Sequence, residues 1–137
     1  MEIAGFNFVI GQLDGCRLIE SVFPAVFDQH RLWAVAASYP LLWEEQIPTV
    51  TINDVSGMGE LDGEAPKVLA WILQQNQLRA QIVATSWVIG ANVRAGEQIR
   101  DVLLEVGRPT DTIFATVDEA KVYLRDRIRV KRDGLAS

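Results

Sequence analysis

The stretch from Thr49 to Pro66, TVTINDVSGMGELDGEAP, constrains the chain more than any other. In its first half Val50 and Ile52 alternate with Thr49, Thr51 and Asn53, and β-branched residues at period two predict a strand with one buried face. The second half cannot continue that strand. Gly57, Gly59 and Gly63 permit backbone angles that other residues avoid. Asp54, Glu60, Asp62 and Glu64 crowd the loop with negative charge. Pro66 suits the first turn of a helix, where its missing N–H is not needed. The expected unit is a strand, a tight acidic loop and a helix start.

The flanking segments follow the same logic. Residues 6–10 (FNFVI) form a strand, Asp14-Gly15 a hairpin turn, and residues 16–23 (CRLIESVF) its antiparallel partner, stopped by Pro24. Asp28 caps a helix carrying Leu32, Trp33, Val35, Ala36 and Tyr39, which Pro40 breaks or kinks, and a second short helical piece (PLLWEEQ) begins there. Residues 66–76 present Val68, Leu69, Trp71, Ile72 and Leu73 as a wide helical stripe, and residues 80–87 form the next strand. From Asn92, a helix with Ile99, Val102, Leu103 and Val106 on one face runs to Gly107 and Pro109. After a short strand at 112–115, Thr116 and Glu119 form a capping box, and the last helix buries Val117, Ala120, Leu124 and Ile128.

The order is β-β-α-β-α-β-α-β-α, predicting an α/β fold with a mixed, largely parallel sheet, an N-terminal hairpin and right-handed crossovers, in one domain over residues 1–137. The alternation in the strands assigns Val50, Ile52, Ala80, Ile82 and Ala84 to a helix-covered face. It assigns Thr49, Thr51, Asn53, Gln81, Val83, Thr85 and Trp87 to a face only partly covered, open to a homodimer or another partner.

Charge narrows the function classes. A formal charge of −5 argues against general nucleic-acid binding, which draws affinity from cations that displace counterions from phosphates. Residues 1–120 carry 7 basic and 16 acidic side chains, whereas residues 121–137 carry 6 basic and 2 acidic. That cluster suits the last turns of a solvated helix and a basic C-terminal tail over about 129–137. Cys16 and His30 stand alone, which excludes an intramolecular disulfide and the usual zinc spacings, and fits a reducing, cytoplasmic setting. The first fifteen residues lack the charged start and long apolar run of a signal peptide, and no segment predicts membrane insertion.

The acidic loop admits several chemistries, most of them poorly. Its glycines follow a strand and precede a helix, as in a dinucleotide-binding turn. Its four carboxylates would repel a pyrophosphate, however, and the third glycine falls one residue late. Read as a calcium loop from Asp54, it has Met58 at the fifth position and Ala65 at the twelfth, where ligands are required. Paired carboxylates can act as acid and base, yet solvated loop acids are the ordinary case. Ser56 lacks the context of a hydrolase nucleophile. No metal, cofactor or catalytic residue is assigned.

Three segments, TINDVSGMGELDGEA, LRAQIVATSW and IFATVDEAKVYLRDRI, taken in order, resemble the STAS-domain superfamily of bacterial anti-sigma-factor antagonists, in its divergent stand-alone branch. The resemblance spans about Cys16 to Ile128. It implies a non-enzymatic regulatory or protein-interaction module. The family's phosphorylatable serine stands at the start of the helix after the central strand. Here the matching residues are Asp62-Gly63-Glu64-Ala65, with Gly63 in the acceptor's place, so the resemblance implies a module without that switch. It also implies, as an alternative, a carrier or sensor of a small hydrophobic ligand.

Two sets of candidate residues follow. A docking surface for a protein partner comprises Ser56, Gly57, Met58, Gly59, Glu60, Asp62, Gly63 and Glu64. A ligand pocket would draw on Trp33, Tyr39, Trp43 and Trp87, although aromatics within apolar stripes are ordinarily core.

Overall fold

Asp14 and Gly15 both take left-handed backbone angles, φ 48° and 84°, the pair of positive values that a two-residue hairpin turn requires. They join β2 (Phe6–Leu13) to β3 (Cys16–Val22) as the expected hairpin, and a two-residue strand β1 (Glu2–Ile3), not predicted, pairs with β2 on its outer side. The computed structural model describes residues 1–26, 28–37, 47–61, 63–77 and 81–136. The expected helical piece after Pro40, Tyr39, Trp43 and Asp62 lie outside the described residues.

Beyond the hairpin, strands and helices alternate: α1 (Gln29–Ala37), β4 (Thr49–Asp54), α2 (Ala65–Gln77), β5 (Ile82–Val88), α3 (Val93–Glu105), β6 (Ile113–Phe114) and α4 (Val117–Ala136). The six strands stand in sequential order; β1, β2 and β3 are antiparallel, and β3, β4, β5 and β6 run parallel. The expected fold class holds, and so does the expected order apart from the added β1.

Local signals place the helices. The Asp28 carboxylate accepts the Arg31 N–H at 3.1 Å. The Asn92 side chain accepts the Ala95 N–H at 3.1 Å. The Thr116 hydroxyl accepts the Glu119 N–H at 3.2 Å and donates to the Glu119 carboxylate, so the capping box closes through the hydroxyl. At its other end α3 is stopped by Gly107 and Arg108, whose N–H groups donate to Leu104 and Leu103 carbonyls, the paired bonds that satisfy a helix terminus.

Two cores flank the sheet. On one face Phe6, Phe8, Ile19, Phe23 and Trp87 pack under Leu32 and Val35 of α1, Leu69, Ile72 and Leu73 of α2, and Ile99, Val102 and Leu103 of α3. On the other, Leu13, Cys16, Leu18, Val50, Ile52, Ala84 and Val88 pack against Ala120, Leu124 and Ile128 of α4. This reverses the expected coverage. Among the described helices the Val50/Ile52 face carries only α4, and the face of Thr51, Asn53, Thr85 and Trp87 lies beneath α1, α2 and α3, so it is not an open docking surface.

The reason is topological. Strands laid down in sequential order and joined by right-handed crossovers place every crossover helix on the same side. The alternation in β5 also breaks: Thr49 pairs with Ile82 but Val50 with Ala84, leaving Val83 as an extra residue. Val83 therefore joins Ala84 on the α4 face rather than Thr85 on the other.

Leu103 is 1% exposed and its neighbour Leu104 60%. Leu103→Ala should lower stability by about 2–5 kcal/mol in urea unfolding. Leu104→Ala should stay within about 0.5 kcal/mol. Equal losses would show that the buried face of α3 is misassigned.

Candidate functional site

At the carboxyl end of the sheet the segments that leave β3, β4 and β5 meet. Phe23 N–H donates to the Asp54 carbonyl, Val55 N–H to Val88, and Gly59 N–H to Ala25. This is the edge at which parallel α/β sheets present their loops to ligands and partners. The loop from Val55 to Leu61 lies there, anchored by what its sequence buries. Val55, Met58 and Leu61 point into the core beneath α1 to α3, at 0%, 4% and 5% exposure. Met58 is thus an anchor of the loop and not part of a contact surface. A Cβ on Gly59 would stand 2.5 Å from the Ala25 carbonyl oxygen, so this glycine permits a close backbone approach and is not a phosphate cradle.

The first turn of α3 clamps the loop from the side. The Asn92 amide nitrogen donates to the Met58 carbonyl at 2.9 Å and the Ser56 carbonyl at 3.1 Å, with the Val55 carbonyl at 3.4 Å. Its oxygen meanwhile caps α3. Gln98 pairs reciprocally with Leu61, accepting its N–H at 2.9 Å and donating to its carbonyl at 3.0 Å. Arg94 reaches Glu60 at 3.0 Å and Glu97 at 3.4 Å, and the hydrogen bond to Glu60 leads the effects that push its guanidinium upward. An exposed pair of this kind contributes little stability, about 0–1 kcal/mol, but it orients Glu60. Asn92 was legible in the sequence as a cap. Its second role, and those of Arg94 and Gln98, were not, because nothing in the spacing shows which loop a helix start will face.

The exposed groups among the described loop residues are Ser56, Gly57, Gly59, Glu60, Gly63 and Glu64. Ser56 donates its hydroxyl to an Asp54 carboxylate oxygen at 2.6 Å, and that oxygen also accepts the Ser56 N–H at 2.9 Å, an Asx turn. No imidazole completes a nucleophilic triad: His30 is exposed on α1. Gly63, at φ +59°, and Glu64 precede α2, and Lys67 pairs with Glu64 at 3.6 Å. Among the described residues no three His, Cys, Asp or Glu side chains gather as a metal site.

Of the aromatic candidates, the two described, Trp33 and Trp87, do not come together. Trp87 is 1% exposed and meets Phe23 edge to face at 6.0 Å, whereas Trp33 lies outside, against Trp71 at 5.0 Å with the rings tilted by 53°. The cavity beside Trp87, between the sheet and α1 and α2, measures about 50 Å³. Pockets for organic ligands measure about 300–1,000 Å³.

The basic residues of α4 are partly spent within the fold. Arg125 approaches the Asp14 carboxylate at 3.7 Å, Arg132 donates to the Asp14 carbonyl at 2.8 Å, and Lys121 faces Glu20 at 4.0 Å.

No protein-family model matches the chain, and no curated protein matches it. Among solved structures it is similar to an anti-sigma factor antagonist from Mycobacterium paratuberculosis. The TM-score is 0.53 and the identity 16%, over 89% of this chain and 96% of that one. The fold is STAS-like. At that identity the likeness is one of fold, and it agrees with the resemblance of the three sequence segments. Within the STAS-like fold the clamped loop occupies the turn between the central strand and the helix that follows it. No helix among the described residues is long and apolar enough to cross a membrane.

Asn92→Ala removes both the cap and the clamp and should cost about 2–3 kcal/mol in urea unfolding. Asn92→Asp keeps the cap but sets a carboxylate against the Ser56 and Met58 carbonyls. Amide exchange in residues 56–61 should therefore accelerate in Asn92→Asp while the protection of α3 persists. Unchanged loop exchange would mean that Asn92 acts on its helix alone.

Proposed function

We propose that this chain is a non-enzymatic regulatory module that docks a protein partner through the loop at residues 56–64 and the first turn of α2. The carrying observation is the clamp. Asn92 and Gln98 occupy the loop's inward carbonyls while Ser56, Glu60, Gly63 and Glu64 remain exposed, so the outer surface is preorganised and little ordering is lost on association. Asp62 completes this candidate surface by sequence. The STAS-like fold supports the reading, since the structural neighbour is named for antagonising an anti-sigma factor. A lone buried cysteine, Cys16, is compatible with a reducing cytoplasm. The carrier reading has less support, because about 50 Å³ beside Trp87 is short of what an organic ligand needs.

A photo-crosslinking residue at position 60 should give a discrete protein adduct in a lysate of the source cells, and one at the exposed position 122 on α4 should not. Glu64→Lys should abolish the adduct from position 60. Adducts of equal yield from both positions, or none from position 60, would reject the loop as the docking surface.

The same reading carries a statement about control. Residues 63–66, Gly-Glu-Ala-Pro, hold no hydroxyl, so phosphorylation at the start of α2 is excluded by chemistry. Incubation with bacterial anti-sigma kinases and phosphosite mapping should find the loop unmodified. Stoichiometric phosphate on Ser56 would overturn this.

A further inference from the structure

The far side of the sheet carries a second feature, unrelated to the docking loop. β6 is only two residues long and pairs only with Trp87 and Val88 of β5. Trp87 and Ile89 direct their N–H groups to this side, to the carbonyls of Thr112 and Phe114. Backbone directions alternate along a strand, so the Thr85 N–H and carbonyl point the same way, where no described strand stands opposite them. The connection from α3 to β6 passes outside this point instead of pairing with it. A cavity of about 360 Å³ results, within the range of organic-ligand sites.

Its lining joins apolar and cationic groups. Val83, Trp87 and Leu103 supply apolar walls, and Arg108, Arg127 and Tyr123 supply the polar ones, with Asp111 at the side. Arg108 is partly buried and, among the described residues, its guanidinium makes no hydrogen bond or ion pair; burial pushes it downward from its ordinary value, so its charge is held at a cost. The carbonyl end of α3 offsets part of that cost but supplies no bond to the guanidinium. Tyr123 is pushed upward by burial, and its phenol stays protonated and able to donate. Two cations against one carboxylate leave one positive charge in a chain whose formal charge is −5.

We propose that this gap beside β5 binds a small organic monocarboxylate. Its carboxylate is held by the fork of Arg108 and the Thr85 N–H, and its apolar body lies against Val83 and Leu103. The charge balance selects the class: a monocarboxylate neutralises the single excess charge, whereas a phosphate dianion overcompensates it beside Asp111. Arg108 suits a carboxylate through paired N–H donors. The proposal goes beyond the docking module and does not depend on it.

The test is a titration of the isotope-labelled full chain with sodium benzoate, and in parallel with sodium phosphate, at constant ionic strength. Benzoate should give saturable amide shifts at Thr85, Arg108 and Thr112, with a dissociation constant on the order of 1 mM. Arg108→Gln should weaken binding by about tenfold or more, through loss of a charge-assisted pair. Arg108→Lys, which keeps the charge without the fork, should fall between. Circular dichroism and the thermal midpoint serve as folding controls, and Arg127→Gln, at an exposed site, gives a second, smaller loss if Arg108→Gln fails to fold. Shifts that do not saturate, affinity unchanged in the folded variants, or phosphate that binds more tightly than benzoate would each overturn the proposal.

Discussion

Strand β4 is buried on both sides, and the rest of the architecture follows from that constraint. Thr49, Val50, Thr51 and Ile52 are all buried, although they point alternately to opposite faces. A parallel strand in the interior of a sheet needs cover above and below. With sequential strand order and right-handed crossovers, α1, α2 and α3 fall on one face, and among the described helices α4 covers the other. A helix of 20 residues extends about 30 Å. That length carries α4 from the Phe114 ring, which meets Tyr123 at a tilt, across Val50 and Ile52 to the hairpin turn at Asp14. The basic residues at 125 and 132 therefore fasten the end of the covering helix to the first hairpin.

The same sheet fixes where a site can form. Its parallel strands deliver the loops after β3, β4 and β5 to one edge, where each must satisfy its backbone groups without a ladder. Asn92 does so for two loops at once because an amide has both an acceptor and two donors. The oxygen serves α3 and the nitrogen serves residues 55–58. A serine or aspartate would cap the helix as well but leave those carbonyls without this donor. With the loop's inward groups satisfied and Val55, Met58 and Leu61 buried, its outward shape is set by the fold itself. The exposed carboxylates of Glu60 and Glu64 are paired with Arg94 and Lys67.

Element existence was legible because each element carried its own punctuation. Asp14-Gly15, Asp28, Asn92, Gly107 and Thr116 each act through bonds within a few residues, and such bonds survive any tertiary arrangement. What the sequence did not show depends on distance. The face on which Val83 lies is decided by a bulge against β4, the inward turn of Met58 by the helices above it, and the clamp by the approach of α3 to a loop more than thirty residues away. Strand β1 is two residues long and has no periodicity to find.

The polar residues on the covered face line a cavity rather than a solvated surface. Ser21, Thr51, Asn53 and Thr85 lie on adjacent strands beneath α1 and α2, and all four line the 50 Å³ cavity. A water needs about 10–15 Å³ of such space and two to four polar partners. The cavity thus has room for roughly three waters, over a floor that includes the Thr51 hydroxyl, buried and without a protein partner among the described residues. The large rings of Phe6, Phe8 and Trp87 hold the helices away from the short side chains between them. The Thr/Asn pattern in β4 therefore marks the polar floor of a cavity whose other walls are apolar, and hydropathy alone cannot distinguish that from a face open to solvent.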